Sequence, residues 1–164
     1  MAVSINPKAA QPYVGDPTYD TLLWKGETAD PAIVSGTMRS IWRVDGDYLV
    51  WHFMMKFAAD TTVGTGVWYW TIPGGYSADF KRLGITDSAG ANALNTFACV
   101  GCCEWFDSGT SYNGGVPVIR QTSGATRLYI HEAEAAGNFF TNGAPITWAN
   151  LDSISVYARI PIVI

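Results

Sequence analysis

The stretch from Gly36 to Phe57, GTMRSIWRVDGDYLVWHFMMKF, predicts two antiparallel strands joined by a tight turn at Asp45-Gly46, a dipeptide typical of hairpins. Side chains of an extended chain alternate between two faces. One face of the second strand is apolar throughout and is expected to be core: Leu49, Trp51, Phe53, Met55 and Phe57. The opposite face is mixed, and it fits either a subunit contact or a solvated surface: Tyr48, Val50, His52, Met54 and Lys56.

A second aromatic strand follows in GTGVWYWTIPGG, residues 64–75. The period of two places Trp68, Trp70 and Ile72 on one face, which we expect to fill the interior of the domain. Pro73 donates no hydrogen bond to a sheet, and the glycines after it favour a turn, so the strand is expected to end there.

The remaining chain carries short strand patterns separated by turn-rich segments. We predict a strand over 96–106 with a bulge at Gly101, a loop over 107–115, and a hairpin over 116–131. No segment holds a helical apolar stripe over a dozen residues. The sequence therefore predicts an all-β, antiparallel, jelly-roll-like sandwich over 23–164, preceded by an extended N-terminal arm over 1–22.

Composition narrows the classes of function. The 164 residues are 48% hydrophobic and only 15% charged, against about 25% charged in ordinary soluble domains. We expect part of the surface to be buried against partner subunits. The net charge of −4 and the scattered basic residues argue against nucleic-acid binding, which needs a basic stripe.

Targeting and membrane signals are not evident in the sequence. The N-terminal residues MAVSINPKAAQPYVGDP lack the basic and apolar regions of a signal peptide. No apolar run approaches the 18 residues of a membrane-spanning helix. We therefore expect a soluble protein without membrane insertion.

The three cysteines lie together in CVGCC, residues 99–103. An odd number argues against a closed set of disulfides, and a zinc site would need a fourth ligand at a suitable spacing. We interpret them as reduced thiols packed as small apolar residues in a strand, and we expect neither a metal nor a cofactor.

Catalytic patterns are weak. Glu132 and Glu134 share one side of a possible strand, and Asp107 follows an aromatic strand, but each fits a solvated loop or turn better than a glycosidase pair. The motifs of a serine nucleophile, a nucleotide loop and a calcium loop are missing. For sugar binding, which needs exposed rings, the candidates are Trp105, Tyr112 and Tyr76.

Four segments follow one another in a characteristic order: LLWKGETADPAI, SGTMRSIWRVDGDYLVWHFMMKF, GTGVWYWTIP and APITWANLDSISVYARI. This order resembles the small β-sandwich domains of tailed-bacteriophage virion surface proteins, and the resemblance covers about residues 24–160. The chain departs from that pattern at Trp42, where tyrosine is usual, at the Asp45 turn, and at Asn150-Leu151, where a glycine is expected before Asp152.

The resemblance implies a non-enzymatic structural protein on the virion surface, of the capsid-decoration, head-spike or fibre type, made in the cytoplasm of a bacterial host. It implies a homo-oligomer, a trimer, that contacts major capsid or tail proteins. Residues of the arm and of the apolar C-terminal tail are the candidates for oligomer or virion contacts: Pro7, Pro12, Tyr13, Ile160, Ile162 and Ile164. The tail is expected to pack either in the domain's own core or along an oligomer axis.

Two other functions stay open at this point. A receptor- or carbohydrate-binding tip of a phage tail protein would present Trp105 or Tyr112 beside a groove and would bind a host-surface glycan. A small hydrolase would bring two of the chain's carboxylates together across a cleft.

Overall fold

The protein is described from a computed structural model, which covers residues 24–85, 97–108, 111–122, 125–132 and 138–163. These residues form nine strands and one short 3-10 turn, Pro73–Gly75. The strands are β1 (Trp24–Gly26), β2 (Thr37–Asp45), β3 (Tyr48–Lys56), β4 (Trp68–Thr71), β5 (Ala98–Cys99), β6 (Gly101–Asp107), β7 (Ser111–Thr122), β8 (Ala125–Glu132) and β9 (Ser153–Pro161). The predicted arm over 1–22 lies outside the described residues. No helix in the described part of the chain is long and apolar enough to cross a membrane.

All strand pairs are antiparallel, in the order β1-β4-β8-β7-β6-β9-β3-β2, with β5 beside β7. The two ends of this order share one core, because Trp24 of β1 and Met38 of β2 belong to the same buried cluster. The Trp24 ring also lies 5.6 Å from the ring of Phe57, directly after β3. The sheet is therefore curled around a single core, and the predicted all-β, sandwich-like class is confirmed.

The core is built mainly from aromatic rings. Trp68 and Trp70 are 0% exposed, as the alternation of their strand predicts, and Phe53 of β3 faces Trp70 of β4 at 5.2 Å between ring centroids. The Trp148 ring packs against Trp68 at 5.2 Å. Since each such ring buries about 150 to 250 Å², these contacts between the two halves of the curled sheet are a large part of what stabilises it.

The hairpin predicted over residues 36–57 is present as β2 and β3. Asp45 pairs with Tyr48, so Gly46 and Asp47 form the turn, one residue later than the predicted Asp45-Gly46 centre. Gly46 has φ 59°, the left-handed value that glycine adopts at the first central position of a type II′ hairpin. The predicted core face of β3 is buried along its whole length.

The predicted bulge is present between β5 and β6. Cys99 pairs with Val118 and Cys103 with Gly115, so one extra residue lies on the β5–β6 side of the ladder. On its other side β6 stays in register with β9, where Gly101 pairs with Ala158. The 116–131 hairpin is confirmed as β7 and β8. The predicted loop over 107–115 is wrong at Asp107, which is still in β6, and from Ser111 onward, where β7 already begins.

Asp152 is the one buried charged residue among those described, with 0% exposure. Its carboxylate accepts hydrogen bonds from the amides of Ser108 at 2.8 Å and Ala149 at 2.6 Å. Its own carbonyl accepts from the amide of Phe57 at 2.9 Å. Asp152 thus joins the start of β9 to the end of β6 and to the residue after β3.

Leu151 is the one described non-glycine residue with a positive φ, 76°. It lies at the position where the phage-domain pattern that the sequence resembles has a glycine. A left-handed conformation costs an L-residue about 1–2 kcal/mol. Leu151→Gly is therefore expected to raise the free energy of unfolding by about 1 kcal/mol, net of glycine's larger chain entropy. Urea unfolding measures the change, with Asn150→Gly as the matched control, which should be destabilising. An unchanged or lower stability of Leu151→Gly would contradict the assignment of strain.

Candidate interaction surface

The three rings proposed for sugar binding are not gathered at one exposed place. Trp105 is 6% exposed and meets Phe140 edge-to-face at 6.4 Å, so it is part of the core. Tyr76 is half-buried against Trp42, with 6.1 Å between the ring centroids. Tyr112 lies in β7 opposite Phe106, and its side chain is outside the described part. Trp105 therefore does not form an exposed wall of a sugar-binding groove in this structure.

The candidates for oligomer contacts divide in two. Ile160 and Ile162 are 0% and 2% exposed, so these tail residues pack in the domain's own core, one of the two expected places. A buried side chain cannot reach a partner, so these two do not supply an oligomer contact. Pro7, Pro12, Tyr13 and Ile164 lie outside the described residues.

The carboxylates considered for catalysis lie on different strands. Asp107 ends β6 and pairs with Ser111, while Glu132 ends β8 and pairs with Gly115. Glu134 lies outside the described residues. In the ranges described, no three histidine, cysteine or acidic side chains are close enough together to hold a metal ion.

The cysteines differ from the predicted set of three packed thiols. Cys103 is buried, but Cys99 and Cys102 are exposed on either side of the bulge. Burial raises the pKa of the Cys103 thiol far above its ordinary value, with smaller contributions from Cys102 and Glu104. The Cys103 thiol thus stays protonated at neutral pH, whereas nucleophilic attack needs the thiolate.

We expect Cys103 to resist alkylation in the native protein and to react only after unfolding. Treating native and urea-unfolded samples with iodoacetamide at pH 8, followed by peptide mass mapping, measures the difference. Cys99 is the internal control, because it is exposed within the same peptide. Native labelling of Cys103 at the rate of Cys99 would contradict its burial.

One regular surface of the described part of the chain is the outer face, defined as the outward side chains of β2, β3, β9 and β6. The registers of these strands align their residues in rows across the four strands. One row contains Ile41, His52, Tyr157 and Cys102, and the next contains Arg39, Met54, Ser155 and Glu104. The imidazole Nε2 of His52 lies 3.3 Å from the Ser155 hydroxyl, which links the two rows.

Exposed apolar side chains lie on three of the four strands of the outer face. Ile41 is 37% exposed, Met54 40% and Tyr157 43%. They lie on three neighbouring strands within two adjacent rows, with His52 between Ile41 and Tyr157 and with Met54 in the next row. Exposed apolar side chains gathered on one face are typical of a contact with another protein.

The charges of the outer face differ from those of the whole chain. The face carries four basic side chains: Arg39, Arg43, Lys56 and Arg159. It carries the acidic residues Asp45 at the turn and Glu104 on β6. Arg159 also stacks on the ring of Tyr48, with its guanidinium carbon 3.8 Å from the centroid. This face is therefore net basic in a chain whose net charge is −4.

A second exposed aromatic group lies across β8. The rings of His131 and Phe97 stack at 5.7 Å, and Phe97 is 46% exposed. Phe139 meets His131 edge-to-face at 5.1 Å. On the same strand, the Arg127 guanidinium covers Tyr69 at 4.0 Å.

Comparison of the chain with family models, curated proteins and solved structures found no match. The outer face is therefore defined by the strand registers and side-chain exposures given above. The sequence pointed to the mixed face of β3 but missed its continuation onto Ile41, Tyr157, Cys102 and Glu104. The signal available was an apolar residue on each otherwise polar strand face, namely Ile41 between two arginines and Tyr157 between Ser155 and Arg159.

Proposed function

We propose that this chain is a non-enzymatic structural protein of the surface of a tailed-bacteriophage virion, assembling there as a homotrimer. The observation that carries the proposal is the outer face, a four-strand surface with exposed apolar side chains on three of its strands. Such a surface on a chain with only 15% charged residues suits a protein that is buried against copies of itself.

The residues of the resemblance support the same class. Of the six tryptophans in the matched segments, Trp42 is partly buried against the core and the other five are core rings, namely Trp24, Trp51, Trp68, Trp70 and Trp148. Leu151 has the backbone conformation that the glycine of the resembling pattern would adopt. The matched pattern therefore describes the frame of the domain and includes no reactive group.

The non-enzymatic part of the proposal is supported by the placement of the candidate reactive groups. Asp107 and Glu132 end different strands, and the Cys103 thiol is buried and protonated. The interior between the sheet halves is occupied by tryptophan and phenylalanine rings.

Peptide mass spectrometry of purified virions tests the proposal. Particles would be isolated from the bacterial source whose genome encodes this sequence, after phage induction, and their proteins quantified against the major capsid protein. We expect many copies of the chain in each particle. We also expect an antibody against the purified chain to precipitate the particles together with the chain. Its presence only in the soluble fraction of the lysate would contradict the proposal.

A receptor- or glycan-binding tip is the second candidate, and it is favoured by the exposed Phe97–His131 stack. An exposed ring beside polar groups is the usual platform for a sugar. Binding on a glycan array that is lost in Phe97→Ala and kept in the exposed-residue control Val34→Ala would support this candidate. Array binding that is unaffected by Phe97→Ala would argue against this site.

A further inference from the structure

Arg39 and Glu104 lie at opposite ends of one row of the outer face. Arg39 on β2 pairs with Met54 on β3, Met54 with Ser155 on β9, and Ser155 with Glu104 on β6. Neighbouring strands are about 4.8 Å apart, so about 14 Å separates the two charged positions. Opposite charges thus lie at the two sides of one face, at the same height along the strands.

Both charged groups are exposed, and neither takes part in an ion pair within the described part of the chain. The ion pairs found there join Lys25 to Asp30 and Arg82 to Asp47. Arg39 and Glu104 point outward with Met54 and Ser155 between them, and each is free to meet a charge on another molecule.

We propose that copies of this chain pack their outer faces around an axis parallel to the strands of this face, with Arg39 of each copy against Glu104 of the next. An axis in this direction brings the β2 side of one copy to the β6 side of its neighbour at the same height. The inference rests on the proposed self-assembly and names the surface that carries it. In a trimer it gives three equivalent Arg39–Glu104 contacts.

The neighbouring row fits the same arrangement. Ile41 lies at the β2 end of that row and Cys102 at its β6 end, and both are exposed. The axis that joins Arg39 to Glu104 also joins Ile41 to Cys102, so a charge meets its opposite and an apolar group meets a thiol. Met54 and Tyr157, on the two central strands, then lie nearest the axis.

The other simple arrangement is disfavoured by charge. In that arrangement the symmetry axis runs perpendicular to the strands, along the row of Ile41. It therefore sets each row of one copy against the row on the other side of Ile41 in the second copy. It would place Arg39 opposite Arg43, and like charges brought together across an interface oppose association. The distribution of charges on the face therefore selects the axis parallel to the strands.

Charge reversal tests the pairing directly. Sedimentation velocity at low salt would compare the full-length wild type with Arg39→Glu, Glu104→Arg and the double variant carrying both. We expect each single reversal to weaken self-association at least about tenfold, and the double variant to recover to within about threefold of the wild type. Circular dichroism and thermal melts of each variant establish that the fold is kept.

Arg43 supplies the matched control, since it is exposed on the same strand and outside the pair. Arg43→Glu combined with Glu104→Arg is expected to remain as weak as Glu104→Arg alone. Recovery by this combination, a double Arg39–Glu104 variant no better than the singles, or single variants that assemble like the wild type would each overturn the inference.

Cys102 provides a second measurement that does not depend on affinity. In assembled wild type we expect its maleimide labelling to be at least about tenfold slower than in Arg39→Glu, while Cys99 labelling changes little. Equal labelling of Cys102 in the two proteins would overturn the inference. If the wild type assembles but both the charge-reversal and the Cys102 labelling experiments are negative, this interface is ruled out and the proposed function still stands. If the wild type is a monomer, both the interface and the proposed function are ruled out.

Discussion

Replacing Gly101 with alanine is expected to lower the free energy of unfolding by at least about 3 kcal/mol. A Cβ at this position would lie 1.9 Å from the carbonyl oxygen of Tyr157 and 2.9 Å from the Cα of Ala158. Both are backbone atoms of β9, so relief requires β6 and β9 to separate. Overpacking in a core costs about 1–3 kcal/mol even where side chains can move, and here the obstacle is the partner strand itself.

Urea unfolding, followed by tryptophan fluorescence, measures this loss. Gly114→Ala is the matched control, because it is also a strand glycine, and the nearest atom to its added Cβ is the Cys103 carbonyl oxygen at 3.9 Å. We expect the control to change stability by less than about 0.5 kcal/mol. Equal effects at the two glycines would contradict the close approach of β6 to β9.

Replacing Asp152 with alanine is expected to cost about 2–4 kcal/mol. The substitution leaves the amides of Ser108 and Ala149 without the carboxylate oxygens that accept their hydrogen bonds. Leaving a buried donor unsatisfied costs about 1–3 kcal/mol, and the lost acceptor is charged. The loss would loosen the start of β9 together with the end of β6.

Asp152→Asn separates the two hydrogen bonds. Its amide oxygen can still accept from one backbone N–H, but its NH₂ group faces the other donor, so we expect about half of the alanine effect. Asp45→Ala, at an exposed carboxylate on β2, is the control and should stay within about 0.5 kcal/mol of the wild type. An Asp152→Ala variant as stable as this control would contradict its bonding role. All these variants are compared by urea unfolding at one protein concentration.

Much of the fold is readable from the sequence, because strand alternation is a property of the backbone. The buried faces of β3 and β4 follow from the period of two, and the β2–β3 turn is placed to within one residue. The sequence marks Gly101 as a bulge, but the reason for a glycine there is the approach of β9, which only the pairing register reveals.

Tertiary contacts account for the failures. The segment containing Tyr112 has the composition of a loop, yet it is paired with β6. Gly115 in that segment lies within β7 and not in a turn. A glycine is needed there because an added Cβ would lie 2.9 Å from Cγ2 of Ile130. Trp105 is buried because its register with β7 and β9 points it inward, which its neighbours in the sequence do not determine.

The interaction surface is readable only in part for a similar reason. The mixed face of β3 is visible in the sequence, but its extent depends on which strands flank it. Arg39 and Glu104 are 65 positions apart in the sequence and share a row only because β3 and β9 lie between their strands. Strand order of this kind is set by the whole fold, so a local pattern does not predict it.

The central claim is that this chain is a structural protein that assembles with itself, and its mass in solution tests that claim most directly. Multi-angle light scattering on the purified full-length protein at low salt is the measurement. We predict a species of three times the chain mass of 17.8 kDa, which persists on dilution to the low micromolar range. A stable species of one chain mass across that range would contradict the account.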